Sequence, residues 1–119
     1  MQQTELISKE TVPCMDRRRH HRYRWSAPIK IRCGDGASMK GISIEISRSG
    51  MSAITCDSLK LDETVEVESI DGMLLAAVVR RNVGRVHGFE FVKLTTEETQ
   101  RIVDLCQMLA VYQTSSLGI

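Results

Sequence analysis

The chain has 119 residues, 42% of them apolar and 26% charged, with a formal net charge of +1. That length suits one domain able to bury its own core, and no apolar run nears the roughly 20 residues of a membrane helix. The N-terminus, MQQTELISKE, lacks the basic-then-apolar plan of a secretory signal, so a cytoplasmic protein without a membrane span is expected.

The charge is uneven. Residues 1–32 hold eight basic and three acidic side chains, whereas residues 33–119 hold eight basic and twelve acidic ones. A protein that coats nucleic acid spreads basic charge over a whole face. Here it is gathered in one short segment, which suits a compact anionic ligand better than a nucleic acid. Cys14, Cys33, Cys56 and Cys106 form no CxxC pair, so reduced thiols are expected, with Cys33 and Cys106 as small buried hydrophobes.

Residues 1–15 show no clear period and read as an N-terminal tail, with room for a brief helix over Glu5–Lys9. Residues 16–26 form a cationic arm, Asp16-Arg17-Arg18-Arg19-His20-His21-Arg22-Tyr23-Arg24-Trp25, with Trp25 placed to anchor it. Pro28 opens a first strand through Cys33, and Gly34-Asp35-Gly36 turns the chain. A second strand covers 38–46; strict alternation puts Ile42, Ile44 and Ile46 on a buried face and Ser43 and Glu45 on the outer one. Ser47–Gly50 is a turn in which Gly50 supplies positive φ.

Met51–Thr55 is a short third strand, and 56–62 a polar loop. Thr64–Glu68 alternates cleanly as a fourth strand, Asp71-Gly72 signals a hairpin, and Met73–Arg81 and Val86–Leu94 follow as the fifth and sixth. Thr95-Thr96-Glu97-Glu98 fits a capping box, opening a helix to about residue 112, with Ile102, Leu105, Cys106 and Leu109 on one apolar face. Residues 113–119 read as a frayed end. Six short strands followed by one helix predict an all-β fold with a C-terminal helix, a small six-stranded antiparallel barrel. The domain is expected to span 16–112.

Two stretches carry chemistry. Arginine suits bidentate contacts to phosphate and to the O6/N7 edge of guanine. Arg18 and Arg22 stand four apart, flanked by Arg17, Arg19 and Arg24. By itself this arm is either a solvated basic tail or a ligand clamp. Glu45 and Ser47 are two apart at a strand end. They are either a turn-forming pair or a carboxylate and a hydroxyl presented together, and a carboxylate accepts from the N1–H and N2–H₂ donors of guanine. His20, His21 and His87 lack metal-ligand spacing and read as loop histidines; Arg48, Arg80 and Arg81 read either as solvated or as enlarging the anion site.

Arg18-Arg19-His20-His21-Arg22 resembles the RxxxR motif of the PilZ domain, and Glu45-Ile46-Ser47-Arg48-Ser49-Gly50 resembles its (D/N)xSxxG motif. The resemblance covers roughly residues 16–112. It implies a six-stranded PilZ-like barrel that binds cyclic di-GMP, a bacterial second messenger, and signals to an effector protein without catalysing a reaction. It implies no cofactor and no metal. It further implies ligand contacts from Arg18, Arg22, Glu45, Ser47 and Gly50, with Arg17 as an accessory arginine for an intercalated ligand dimer.

One position departs from the family pattern. Glu45 stands where the family has Asp or Asn, one methylene longer, and a misfit hydrogen bond to a charged group forfeits ~1.5–3 kcal/mol. The alternative reading is therefore a protein-interaction adaptor that has lost or weakened cyclic di-GMP binding.

Overall fold

The computed structural model describes residues 20–69 and 72–117. The tail read over 1–15 lies outside the described residues, as do Arg17, Arg18 and Arg19. Among the described residues, seven strands and one helix follow in order: β1 Tyr23–Arg24, β2 Pro28–Cys33, β3 Ser38–Ile46, β4 Gly50–Thr55, β5 Thr64–Ser69, β6 Leu74–Val83, β7 Val86–Phe91 and α1 Thr96–Leu117. The strands pair antiparallel in the order β1-β3-β2-β5-β6-β7-β4, and β3 also pairs with β4. That last pairing closes six strands into the expected barrel.

The extra strand, β1, is the root of the cationic arm. It pairs with the far half of β3, Tyr23 opposite Ile46 and Arg24 opposite Glu45. The helix runs past residue 112 to Leu117. Its capping box is closed at both ends: Thr95 N donates to Glu98 Oε1 at 3.0 Å, and Glu98 N donates to Thr95 Oγ1 at 3.0 Å.

The barrel interior is aliphatic, with Ile29, Ile31, Val65, Val67, Leu75, Ala77, Val79, Phe89 and Phe91 buried. Ile102 and Cys106 of α1 join this core, and Leu105, Leu109, Tyr23 and Trp25 pack against it. Trp25 thus anchors the arm, and its backbone N–H donates to Ile44 O at 2.9 Å. Gln113 Nε2 donates to Arg24 O at 2.8 Å, so the helix also grips β1. Cys106 is buried as expected, but Cys33 is only half-buried, at the end of its strand.

The face expected for β3 is overturned. Pairing with β4 shifts register between Ser43 and Glu45, so β3 carries one extra residue there, Ile44. A bulge reverses the alternation across it. Ser43 is therefore buried, accepting from Ala27 N at 2.9 Å and donating to Trp25 O. Ile46 is buried, whereas Ile42 and Ile44 are 51% and 39% exposed.

Gly50 is needed for a different reason from the one expected. Gly36, Gly72 and Gly84 take positive φ at their turns, but Gly50 does not. A Cβ on Gly50 would stand 2.2 Å from the carbonyl oxygen of Phe89. It lies at the start of β4, facing Glu90 of β7, where the two backbones close the barrel.

Gly50→Ala is expected to cost about 3 kcal/mol by forcing the β4–β7 pairing apart, measured by urea denaturation. Gly34→Ala, where nothing lies within 4 Å of the added carbon, is expected to cost nothing. Burial raises the thiol pKa of Cys106, against the lowering pull of Arg48, so little reactive thiolate forms near neutral pH. Among the described thiols, timed iodoacetamide labelling should therefore modify exposed Cys56 first and Cys106 only after unfolding.

Candidate functional site

The bulge in β3 aims Glu45 into a cleft of about 950 Å³. His20 and Arg22 line one side, Glu45, Ser47, Ser49 and Gly50 the near end, and Ser52 and Gly88 the floor. Arg80, Arg81, Val83 and Val86 form the far side. A second hollow, of about 740 Å³, lies around Pro28, Ile42 and Ile54 and contains none of the residues singled out from sequence as site residues.

Four of those residues converge. Arg22 Nη1 lies 3.6 Å from Glu45 Oε1, with both side chains just over a third exposed. Register brings them together, because the pairing of β1 with β3 sets the residue before Tyr23 beside the end of β3. Ser47 and Gly50 line the same cleft but play a different part from the outward hydroxyl expected. Ser47 is 5% exposed. Its N–H donates to Gly50 O at 2.8 Å, and its hydroxyl accepts from Ser49 N at 3.2 Å. Ser49 O in turn accepts from Phe91 N at 2.9 Å, which ties the turn to β7. Ser47 therefore shapes the turn that carries the end of the cleft.

The neighbouring arginines divide. Arg80 is held, its Nε 2.7 Å from Glu90 Oε1 and its Nη1 3.0 Å from Asp62 Oδ1, so it is not simply solvated. Its hydrogen bond to Glu90 raises its pKa further. Arg81 makes no ion pair among the described residues. His20 Nδ1 is buried with no hydrogen-bond partner among the described residues. His21 stacks in a tilted contact on Tyr23 at 4.7 Å.

His87 is not a loop histidine. It is fully buried in β7 beneath the cleft. Nε2 accepts from Leu59 N at 3.0 Å, which leaves Nδ1 as the proton-bearing nitrogen, 3.1 Å from Arg85 O and 3.2 Å from Thr55 Oγ1. The ring thus pins the 56–63 loop to the barrel. Sequence reasoning also missed Ser52, Gly88, Val83 and Val86 as cleft residues. They face it only because of strand register, for which the chain carries no local signal.

Among the described residues, no group of three or more His, Cys, Asp or Glu side chains could hold a metal ion. No helix among them is long and apolar enough to cross a membrane.

The PilZ domain family matches residues 16–108, and the chain belongs to that family. Its barrel is also similar to solved structures. The PilZ domain of YcgR from Escherichia coli, solved with c-di-GMP, superposes with a TM-score of 0.65 at 15% identity, covering 86% of this chain and 98% of that one. The PilZ domain of CeSA from a cellulose-synthesizing bacterium gives 0.60 at 19% identity, covering 71% and 93%. The inhibitor of motility MotI/DgrA from Bacillus subtilis gives 0.65 at 18% identity, covering 83% of this chain and 52% of that one. At these identities the likeness is one of fold. No curated protein sequence matches.

The Arg22–Glu45 pair is too exposed to hold the fold, since such pairs are worth about 0–1 kcal/mol. Arg22→Ala and Glu45→Gln should each shift the unfolding free energy by less than about 1 kcal/mol in urea denaturation.

Proposed function

We propose that this protein is a cyclic di-GMP receptor in which the arginine arm closes over the ligand on the barrel and signals to an effector protein. One observation carries the reading: a guanidinium and a carboxylate stand side by side at the near end of the cleft, 3.6 Å apart. Guanine offers the complementary edge, acceptors at N7 and O6 next to donors at N1 and N2. Arg22 is suited to the acceptors and Glu45 to the donors. Adenine carries a donor where guanine has O6, so the pair selects against it. Membership of the PilZ family and the c-di-GMP-bound YcgR domain support the same reading.

The arm has a mechanical rationale. Its like charges repel, and ligand phosphates would neutralise them as it closes. Arg18, four residues before Arg22, is assigned to phosphate and guanine, and Arg17 to a second ligand molecule when an intercalated dimer binds. The arm's root, β1, is held by Gln113 of α1. That contact supports a route in which the helix passes a change in the arm to a partner protein. No step is catalytic.

A second reading has its own observation. Glu45 is a methylene longer than the family residue and is already engaged by Arg22. An adaptor that no longer binds the nucleotide would keep the barrel and lose the site.

Isothermal titration with cyclic di-GMP separates the two. Binding at micromolar affinity or better is expected, with cyclic di-AMP inert. Arg18→Ala and Arg22→Ala should each weaken binding by about a hundredfold or more, and Glu45→Asp should tighten it. Unchanged affinity in both arginine variants would refute the clamp, and no binding by the wild type would favour the adaptor.

A further inference from the structure

The cleft has a second basic end that neither sequence motif contains. Register draws one row across five strands: Arg24 opposite Glu45, Glu45 opposite Ser52, Ser52 opposite Gly88, and Gly88 opposite Arg81. At about 4.8 Å per strand, Glu45 and Arg81 stand about 14 Å apart along the row. Between them the floor carries only the small side chain of Ser52 and the bare backbone of Gly88. A flat, extended ligand can lie along such a trough.

Arg81 faces the trough because of a second bulge. The pairing of β6 with β7 shifts register between Val79 and Arg81. Val79 points into the core and is fully buried. In unbroken alternation from Val79, Arg81 would point inside as well, where its charge could not stay. The bulge instead puts two successive arginines outside with different tasks. Arg80 is bound to Asp62 and Glu90. Arg81 lays its stem over Gly88: a Cβ there would stand 3.4, 3.7 and 3.8 Å from Arg81 Cβ, Cδ and Cγ. Its guanidinium has no ion pair among the described residues, and Val83 and Val86 give an apolar border beside it.

We propose that Arg81 is a further ligand-binding residue, taking the far end of a cyclic dinucleotide whose near guanine lies at Arg22 and Glu45. The proposal rests on the receptor function proposed above. The chemistry at this end is a planar guanidinium meeting a phosphate oxygen or the O6/N7 edge of the second guanine. A ligand with two anionic, acceptor-rich halves meets both ends at once, whereas a single nucleotide meets one. Arg80, although adjacent, takes no part because its charge is already met by the carboxylates of Asp62 and Glu90.

The test is isothermal titration of cyclic di-GMP into the wild type, Arg81→Ala and Arg80→Ala, with thermal unfolding of each free protein. Arg81→Ala should lose about ten- to a hundredfold in affinity, the worth of one charge-assisted hydrogen bond, with its unfolding midpoint unchanged. Arg80→Ala should bind within about twofold of the wild type. Wild-type binding that Arg81→Ala leaves unchanged overturns this assignment alone. Equal losses in both variants overturn it too, by reducing the effect to the general field of the cleft. Absence of wild-type binding overturns the receptor function and this assignment with it.

Discussion

One residue beyond strict alternation, Ile44 in β3, decides what the barrel can do. Up to Ser43 the strand sends its odd-numbered side chains inward; after the bulge Ile46 is the buried one. A regular strand would keep Ser43 and Glu45 on one face and leave Ile46 on the other. With the bulge, Ser43 goes inside, where its hydroxyl is satisfied by Ala27 N and Trp25 O and so fixes the start of β2 against the arm. Glu45 goes to the cleft, beside Arg22. The exposure of Ile42 and Ile44 is the cost of that arrangement. A second bulge, before Arg81, does the same for the opposite end. Bulges are enriched beside functional sites because they re-aim side chains in this way, and here two of them frame one trough.

The closure of the barrel depends on an equally local condition. β4 is shared between β3 and β7, and at its first residue the backbones approach so closely that only glycine fits. Gly50 thus belongs to the sequence motif for a packing reason. The turn before it is held by Ser47 and is tied to β7 through Ser49 O. The motif residues that resemble ligand contacts therefore also build the end of the cleft, so substitutions there must be read against unfolding controls. Arg22 and Glu45 lack that ambiguity, because an exposed pair contributes little to stability.

Most of the architecture was legible in the chain. Val65 and Val67 alternate with Glu66 and Glu68 as a half-buried strand should, and they are buried. Thr95 and Glu98 announce the helix start and make both hydrogen bonds of the capping box. The turns at Gly36 and Gly84 take the positive φ that their composition implies. What escaped reading follows from non-local pairing. A bulge inverts the alternation on which face assignments rest, so Ile42 and Ile44 were placed on the wrong side. His87 resembles a loop residue until β4 and β7 pair and bring Thr55 and Leu59 to its ring. β1 is two residues long, too short for any periodicity, and exists because β3 offers it an edge. The far end of the cleft was half legible: Arg80 and Arg81 could be read as enlarging an anion site, but Gly88 and Arg81 meet only through register.

Arg22, with Glu45 beside it, is proposed as the jaw that grips guanine. Arginine side-chain NMR reads it directly, through the Nε–Hε resonances of the ¹⁵N-labelled protein titrated with cyclic di-GMP. The Arg22 resonance should shift and become protected from exchange with water as ligand saturates, while that of Arg80, already held by Glu90 and Asp62, stays in place. Saturable binding that leaves the Arg22 resonance unmoved would contradict it.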